Sequence, residues 1–128
     1  MSISLPIRIA VVGARRGRTF INIAKMLPDK MRLEAVCDIN EEVLAEWHGT
    51  EVRVYDSFEK LLEDPHVDAI CLATPLTMHA RQAIAALDAG KHVLSEVTAA
   101  WTLEECRDLS AAVRRNKSTY MMAENCCF

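Results

Sequence analysis

Ile7-Arg8-Ile9-Ala10-Val11-Val12-Gly13-Ala14-Arg15-Arg16-Gly17-Arg18 is the stretch that decides the fold. Its first six residues are mostly β-branched and apolar and run into Gly13, which reads as a buried strand stopping at a tight turn. From Gly17 to Leu27, apolar Phe20, Ile23, Ala24 and Leu27 recur at helical spacing, and Pro28 ends that helix. The unit is strand, glycine turn, helix.

The same unit repeats along the chain. Leu33 to Cys37 predicts a second strand closing at Asp38, with Asn40 capping a helix from Glu41 to Trp47 that stops at Gly49. Val52 to Tyr55 is a third strand, followed by a Ser57-capped helix from Phe58 to Glu63 and a break at Asp64-Pro65. Val67 to Ala73 is the fourth strand and Thr74-Pro75 its end. A helix from Met78 to Ala89 follows, with Gly90 as its stop and Lys91 to Leu94 as strand five. Thr102-Leu103-Glu104-Glu105 is a capping box for a helix running to about Arg115, and Tyr120 to Ala123 is strand six. Six buried-type strands alternating with helices through short loops call for an α/β fold, a doubly wound parallel sheet with helices on both faces. No linker or low-complexity segment interrupts it, so residues 1–128 are expected to form one domain.

Composition narrows the function. The 128 residues are 51% hydrophobic and 26% charged, which excludes disordered and fibrous classes. No apolar run approaches the roughly 20 residues of a membrane helix, and no apolar leader opens the chain. Fifteen basic against eighteen acidic residues, a formal −3, argue against nucleic acid as a partner. The cysteines are Cys37, Cys71, Cys106, Cys126 and Cys127, an odd number without a C-x-x-C pair. Reduced thiols and a cytoplasmic setting are therefore expected. The adjacent Cys126-Cys127 lacks zinc-site spacing, so no metal is expected.

The turn after strand one carries the first chemistry. A dinucleotide fold needs a tight turn there, with backbone close to a pyrophosphate at a helix N-terminus. Gly13 suits the tight turn, but Arg15 and Arg18 stand where G-x-G-x-x-G has its second and third glycines; Gly17 offers close approach in a different loop. Arg15 and Arg16 can contact phosphate or stay solvated. Asp38 ends strand two, twenty-five residues after Gly13, near the offset of the acid that binds the adenosine ribose 2′-OH. A carboxylate there favours NAD over NADP, whereas the arginines favour a phosphate; the other reading of Asp38 is a cap for the next helix.

Together with Val11-Val12-Gly13 and Cys37-Asp38, several later segments carry a family resemblance. They are Tyr55-Asp56-Ser57-Phe58-Glu59-Lys60-Leu61-Leu62, the run from Val67 to Pro75, His79, and Ala89-Gly90-Lys91-His92-Val93-Leu94-Ser95-Glu96. In that order they resemble the Rossmann-type nucleotide-binding domain of the glucose–fructose oxidoreductase and inositol dehydrogenase family, over essentially all of the chain. The resemblance implies that Thr74, Pro75 and His79 lie along a bound NAD. It implies that Gly13, Ala14, Arg15 and Arg16 lie near the pyrophosphate, Asp38 at the adenosine ribose and Glu96 at the nicotinamide end. Glu124 and Asn125, after strand six, are candidates for contacting nicotinamide or substrate. Taken alone, His79 also reads as an ordinary helix-face histidine, and Glu96 as an exposed strand-end carboxylate.

One departure stands out. The family's Glu-Lys-Pro after strand five is Glu96-Val97-Thr98 here, and a valine can neither donate a proton nor bind a carbonyl oxygen. Catalytic residues are thus unassigned, with Glu96 and Glu124 as candidates. Glu96-Val97-Thr98-Ala99-Ala100 and Met121-Met122-Ala123-Glu124-Asn125 are also similar to segments of the superfamily's NAD-dependent glycosidases. The resemblance implies a hydride-transferring oxidoreductase for a sugar-like or polyol-like substrate, with such a glycosidase or a non-catalytic dinucleotide-binding module as alternatives. Family members carry a second, substrate-binding domain after this one. The coding sequence is therefore expected to continue past Phe128 by on the order of 150–250 residues. A chain without that domain is expected to lack a complete sugar pocket, and to pair with a second copy or aggregate.

Overall fold

The computed structural model describes residues 4–124. The elements run β1 (Ile7–Val12), α1 (Arg18–Met26), β2 (Met31–Cys37), α2 (Glu41–Ala45), β3 (Arg53–Tyr55), α3 (Phe58–Leu62), β4 (Ala69–Leu72), α4 (Leu76–Asp88), β5 (His92–Glu96), α5 (Leu103–Arg115) and β6 (Tyr120–Ala123). All neighbouring strands pair parallel, in the order β3-β2-β1-β4-β5-β6. This is the doubly wound arrangement built from two halves that diverge from β1.

Strand alternation sends β1 into two cores. Ala10 and Val12 pack with Leu61 of α3, Ala83 and Leu87 of α4, and Leu109 of α5. Ile9 and Val11 pack with Phe20 and Ala24 of α1 and Leu44 of α2. Helices therefore cover both faces, as a parallel sheet requires.

Local chemistry sets most boundaries. Asn40 Oδ1 accepts from Glu42 N (2.9 Å) and Ser57 Oγ from Lys60 N (3.4 Å), capping α2 and α3. Thr102 Oγ1 accepts from Glu105 N (3.1 Å) while Glu105 Oε2 accepts from Thr102 N (2.9 Å), so the capping box forms. Some ends differ from the sequence expectation. α4 begins at Leu76 rather than Met78, because Pro75 (φ −56°) needs no hydrogen-bond partner at a helix start. β5 extends to Glu96 because Ser95 and Glu96 pair with Met122 and Ala123. α2 stops at Ala45, and its last turn tightens into bonds from Trp47 N to Leu44 O and His48 N to Ala45 O.

The amino ends of the strands hold an ionic cluster. Arg8 donates to Asp68 from N, Nε and Nη2 at 2.6–2.9 Å. Arg53 donates to Asp64 (2.8 Å) and Glu34 (2.7 Å). Lys91 Nζ, nearly buried, donates to the carbonyls of Asp64 (2.6 Å) and Val67 (2.9 Å), and burial lowers its pKa. The opposite edge is thereby left for a site. Among the described residues no helix is long and apolar enough to cross a membrane.

Candidate functional site

At the carboxyl ends of β1, β2, β3 and β4 lies a cleft of about 430 Å³. Here the chain winds to one side of β1 through β2 and to the other through β4, the switch point where such sheets bind ligands.

The glycine turn makes its floor. Gly13 takes φ +81°, donates to Cys37 O (2.9 Å) and accepts from Gly17 N (2.8 Å). A Cβ on Gly13 would stand 2.5 Å from Ala73 O, so only a glycine lets the turn lie against the end of β4. A Cβ on Gly17 would run into Val11 Cγ1. Gly17 therefore supplies the close helix–strand packing expected of a third glycine, in a loop with different spacing. Ala14 is buried beneath the turn.

Asp38 lies across the turn at the end of β2. Its Oδ1 accepts from Asn40 N (3.0 Å) and its Oδ2 from Arg15 N (3.5 Å). The cap of α2 is Asn40, so Asp38 remains on the cleft wall. Thr74 is held by α4 through its hydroxyl, which donates to Gln82 Oε1 (2.6 Å). His79 is 1% exposed and stands beneath the cleft rather than on its wall.

The cleft thus brings together Gly13, Arg15, Arg16, Asp38, Thr74 and Pro75. Glu96 is off the wall, at the end of β5, where its Oε2 accepts from Arg16 Nε (3.0 Å). Glu124 follows Ala123, which pairs with Glu96, so the two acids end neighbouring strands. Asn125 and the pair Cys126-Cys127 lie outside the described residues.

Charge is divided along the cleft. The Cys37 thiol is pushed up to about 12 by burial and then by Asp38, Asp56 and Glu59. The β2–β3 end is thus acidic, and the glycine turn opposite carries Arg15 and Arg16. Cys71, buried in the sheet, is also pushed up to about 12, whereas Cys106 is exposed. Iodoacetamide should label Cys106 in the folded chain and spare Cys37 and Cys71 until denaturant is added, as peptide mass mapping would show. Labelling of Cys71 in the native chain would contradict the fold.

The sequence matches the family described as "Oxidoreductase family, NAD-binding Rossmann fold" over residues 7–124.

The chain belongs to that family.

It is 30% identical to a "Glycosyl hydrolase family 109 protein" of Solibacter usitatus, covering 95% of this chain and 31% of that protein. It is 29% identical to an "Uncharacterized oxidoreductase YrbE" of Bacillus subtilis, over 90% of this chain and 34% of the relative. Among solved structures, the WlbA dehydrogenase of Bordetella pertussis, in complex with NADH and UDP-GlcNAcA, superposes with a TM-score of 0.85 at 31% identity. That match covers 91% of this chain and 36% of the other. The chain spans about a third of the length of these relatives.

In this oxidoreductase-family chain, residue-by-residue reading missed Ile39, Asp56, Phe58, Met78 and Gln82 on the cleft wall. Asp56 follows β3 as Asp38 follows β2, but it lies too far from Gly13 for the spacing that singled out Asp38. Met78 and Gln82 stand four apart on α4, on the side facing Thr74; the sequence shows that spacing but not the direction of the face.

Proposed function

We propose that this chain is the dinucleotide-binding domain of an NAD-dependent oxidoreductase whose substrate is sugar-like or polyol-like. The observation carrying the reading is the glycine seat: Gly13 packs directly on the main chain of Ala73, which holds the tight turn after β1 against the end of β4 and on the wall of the cleft at the switch point. In this reading Gly13, Ala14, Arg15 and Arg16 take the pyrophosphate, with Ala14 acting through its backbone. Asp38 takes the adenosine ribose hydroxyls, Thr74 and Pro75 border the middle of the cofactor, Glu96 and Glu124 lie toward the nicotinamide, and Asn125 is a further candidate for contacting it. Bound NAD would supply the hydride acceptor. Val97 supplies no acid or base, which leaves Glu96 and Glu124 as this chain's candidates for handling the proton. A second, substrate-binding domain belonging to a longer protein completes this reading.

Asp38 and Asp56 disfavour a 2′-phosphate, which makes NAD the preferred form. Calorimetry should find NAD bound at least about tenfold more tightly than NADP, and Asp38→Asn should reduce that preference mainly by weakening NAD. Equal affinities in the unchanged chain would remove the assignment of Asp38, and no binding of NAD at millimolar concentration would remove the function.

The likeness to the Solibacter usitatus glycosyl hydrolase family protein favours one alternative, an NAD-dependent glycosidase. Release of nitrophenol from a nitrophenyl glycoside by the full-length protein, without net reduction of added NAD, would select it. A chain that binds NAD, in a full-length protein that turns over neither substrate class, would be a non-catalytic binding module.

A further inference from the structure

His79 is 1% exposed on α4, and both of its ring nitrogens face main-chain carbonyls: Nε2 lies 2.7 Å from Thr74 O and Nδ1 2.8 Å from Thr98 O. The two carbonyls belong to different loops. Thr74 opens the turn after β4, and Thr98 lies two residues past the end of β5. One buried ring therefore spans the gap between the loops that follow two adjacent strands.

The base of this tie is rigid. α4 buries Ala80, Ala83, Ala86 and Leu87 against the sheet, and Gln82, one turn from His79, accepts from the Thr74 hydroxyl. At the other end Ala99 packs against the core, whereas Val97 and Thr98 before it are exposed. Among the described residues, no other hydrogen bond outside the strand ladders reaches residues 97–100.

We propose that His79 is a positioning residue, which fixes the Val97–Thr98 loop against the Thr74–Pro75 turn and so sets the nicotinamide end of the cleft without touching the cofactor. The inference rests on the dinucleotide reading above. It predicts a split between the two halves of the ligand. The adenosine half lies over β2 and the glycine turn, away from the loop His79 holds, so ADP should not sense the tie and NADH should.

The test is calorimetry of NADH and of ADP with the unchanged chain and with His79→Leu. The variant should lose about tenfold in affinity for NADH, the worth of one well-placed hydrogen bond, and keep ADP within about twofold. If His79→Leu does not fold, ring-nitrogen NMR of the unchanged chain serves: NADH should shift the His79 signals and ADP should not. Equal NADH affinity in both chains, equal loss of both ligands, or His79 signals unmoved by NADH would each overturn the inference. A chain that binds NADH while the variant matches it overturns the positioning role alone. An unchanged chain that binds neither ligand overturns the dinucleotide reading and this inference with it.

Discussion

Gly13→Ala is expected to cost the fold about 3 kcal/mol and to abolish measurable NAD binding. Two penalties combine. At φ +81° an alanine pays for a left-handed backbone, about 1–2 kcal/mol. Its Cβ would also lie 2.5 Å from Ala73 O and 2.7 Å from Ala73 C, both main-chain atoms of a buried segment. No side chain can swing aside to relieve that overlap, and overpacking of this kind costs about 1–3 kcal/mol. Gly17→Ala is the informative contrast. Gly17 has φ −73°, an ordinary backbone, and its added Cβ meets the Val11 side chain. Val11→Ala should therefore recover part of the stability lost in Gly17→Ala and none of that lost in Gly13→Ala. Denaturant midpoints of the parent, the three single variants and the two double variants decide this, and a Gly13→Ala chain within about 0.5 kcal/mol of the parent would refute the seat.

Asp64→Ala should cost a similar amount, about 3 kcal/mol, because it removes the acceptor at the centre of the ionic cluster. The Asp64 side chain is 3% exposed, and its carboxylate accepts from Arg53 Nε (2.8 Å), Tyr55 Oη (2.9 Å) and His66 N (2.8 Å). Burial alone would raise its pKa. The bonds from His66 N, Arg53 and Tyr55 outweigh that, and the folded value lies below the ordinary one. A carboxyl depressed in the folded state adds stability above its unfolded pKa, about 3.9, and loses it as pH falls through the folded value. Asp68, depressed chiefly by its hydrogen bond from Arg8, adds to the same window. Unfolding free energy should therefore drop as pH is taken below about 4, and more shallowly in Asp64→Ala. An identical acid slope in parent and variant would show that Asp64 is not the group responsible.

How much of this was visible in the residues depends on the reach of each interaction. The strands were legible because β-branched runs such as Ile7 to Val12 stop at turn residues. The caps were legible because Asn40, Ser57 and Thr102 act within three residues of themselves. Gly13 and Asp38 were found because a fixed spacing ties them to one fold. His79 was placed on the right helix, but its partners lie 5 and 19 residues away and the second belongs to another loop. The Arg16–Glu96 contact joins residues 80 apart. Asp64 read only as half of a chain break, and Lys91 as the start of a strand. Lys91 is buried because its carbonyl partners come from 24 and 27 residues back, and Asp64 because β3 returns Arg53 and Tyr55 to it, a supply that the residues beside them do not reveal.

The central place of β1 has a consequence for how the protein is made. β1 is synthesised first and pairs with β2 after about two dozen residues, Ile7 lying opposite Met31. Its other neighbour is β4, where Ile9 meets Ala69 after a further long stretch of chain. A ribosome therefore releases a three-stranded half-sheet, β1 to β3, well before the opposite edge of β1 can be covered, and closing the longer loop is the slower step. During that interval Gly13 has no Ala73 to rest on. The half-sheet can present Asp38, but the cleft does not yet exist, so the nascent chain should acquire its affinity for ligand only once β4 has docked.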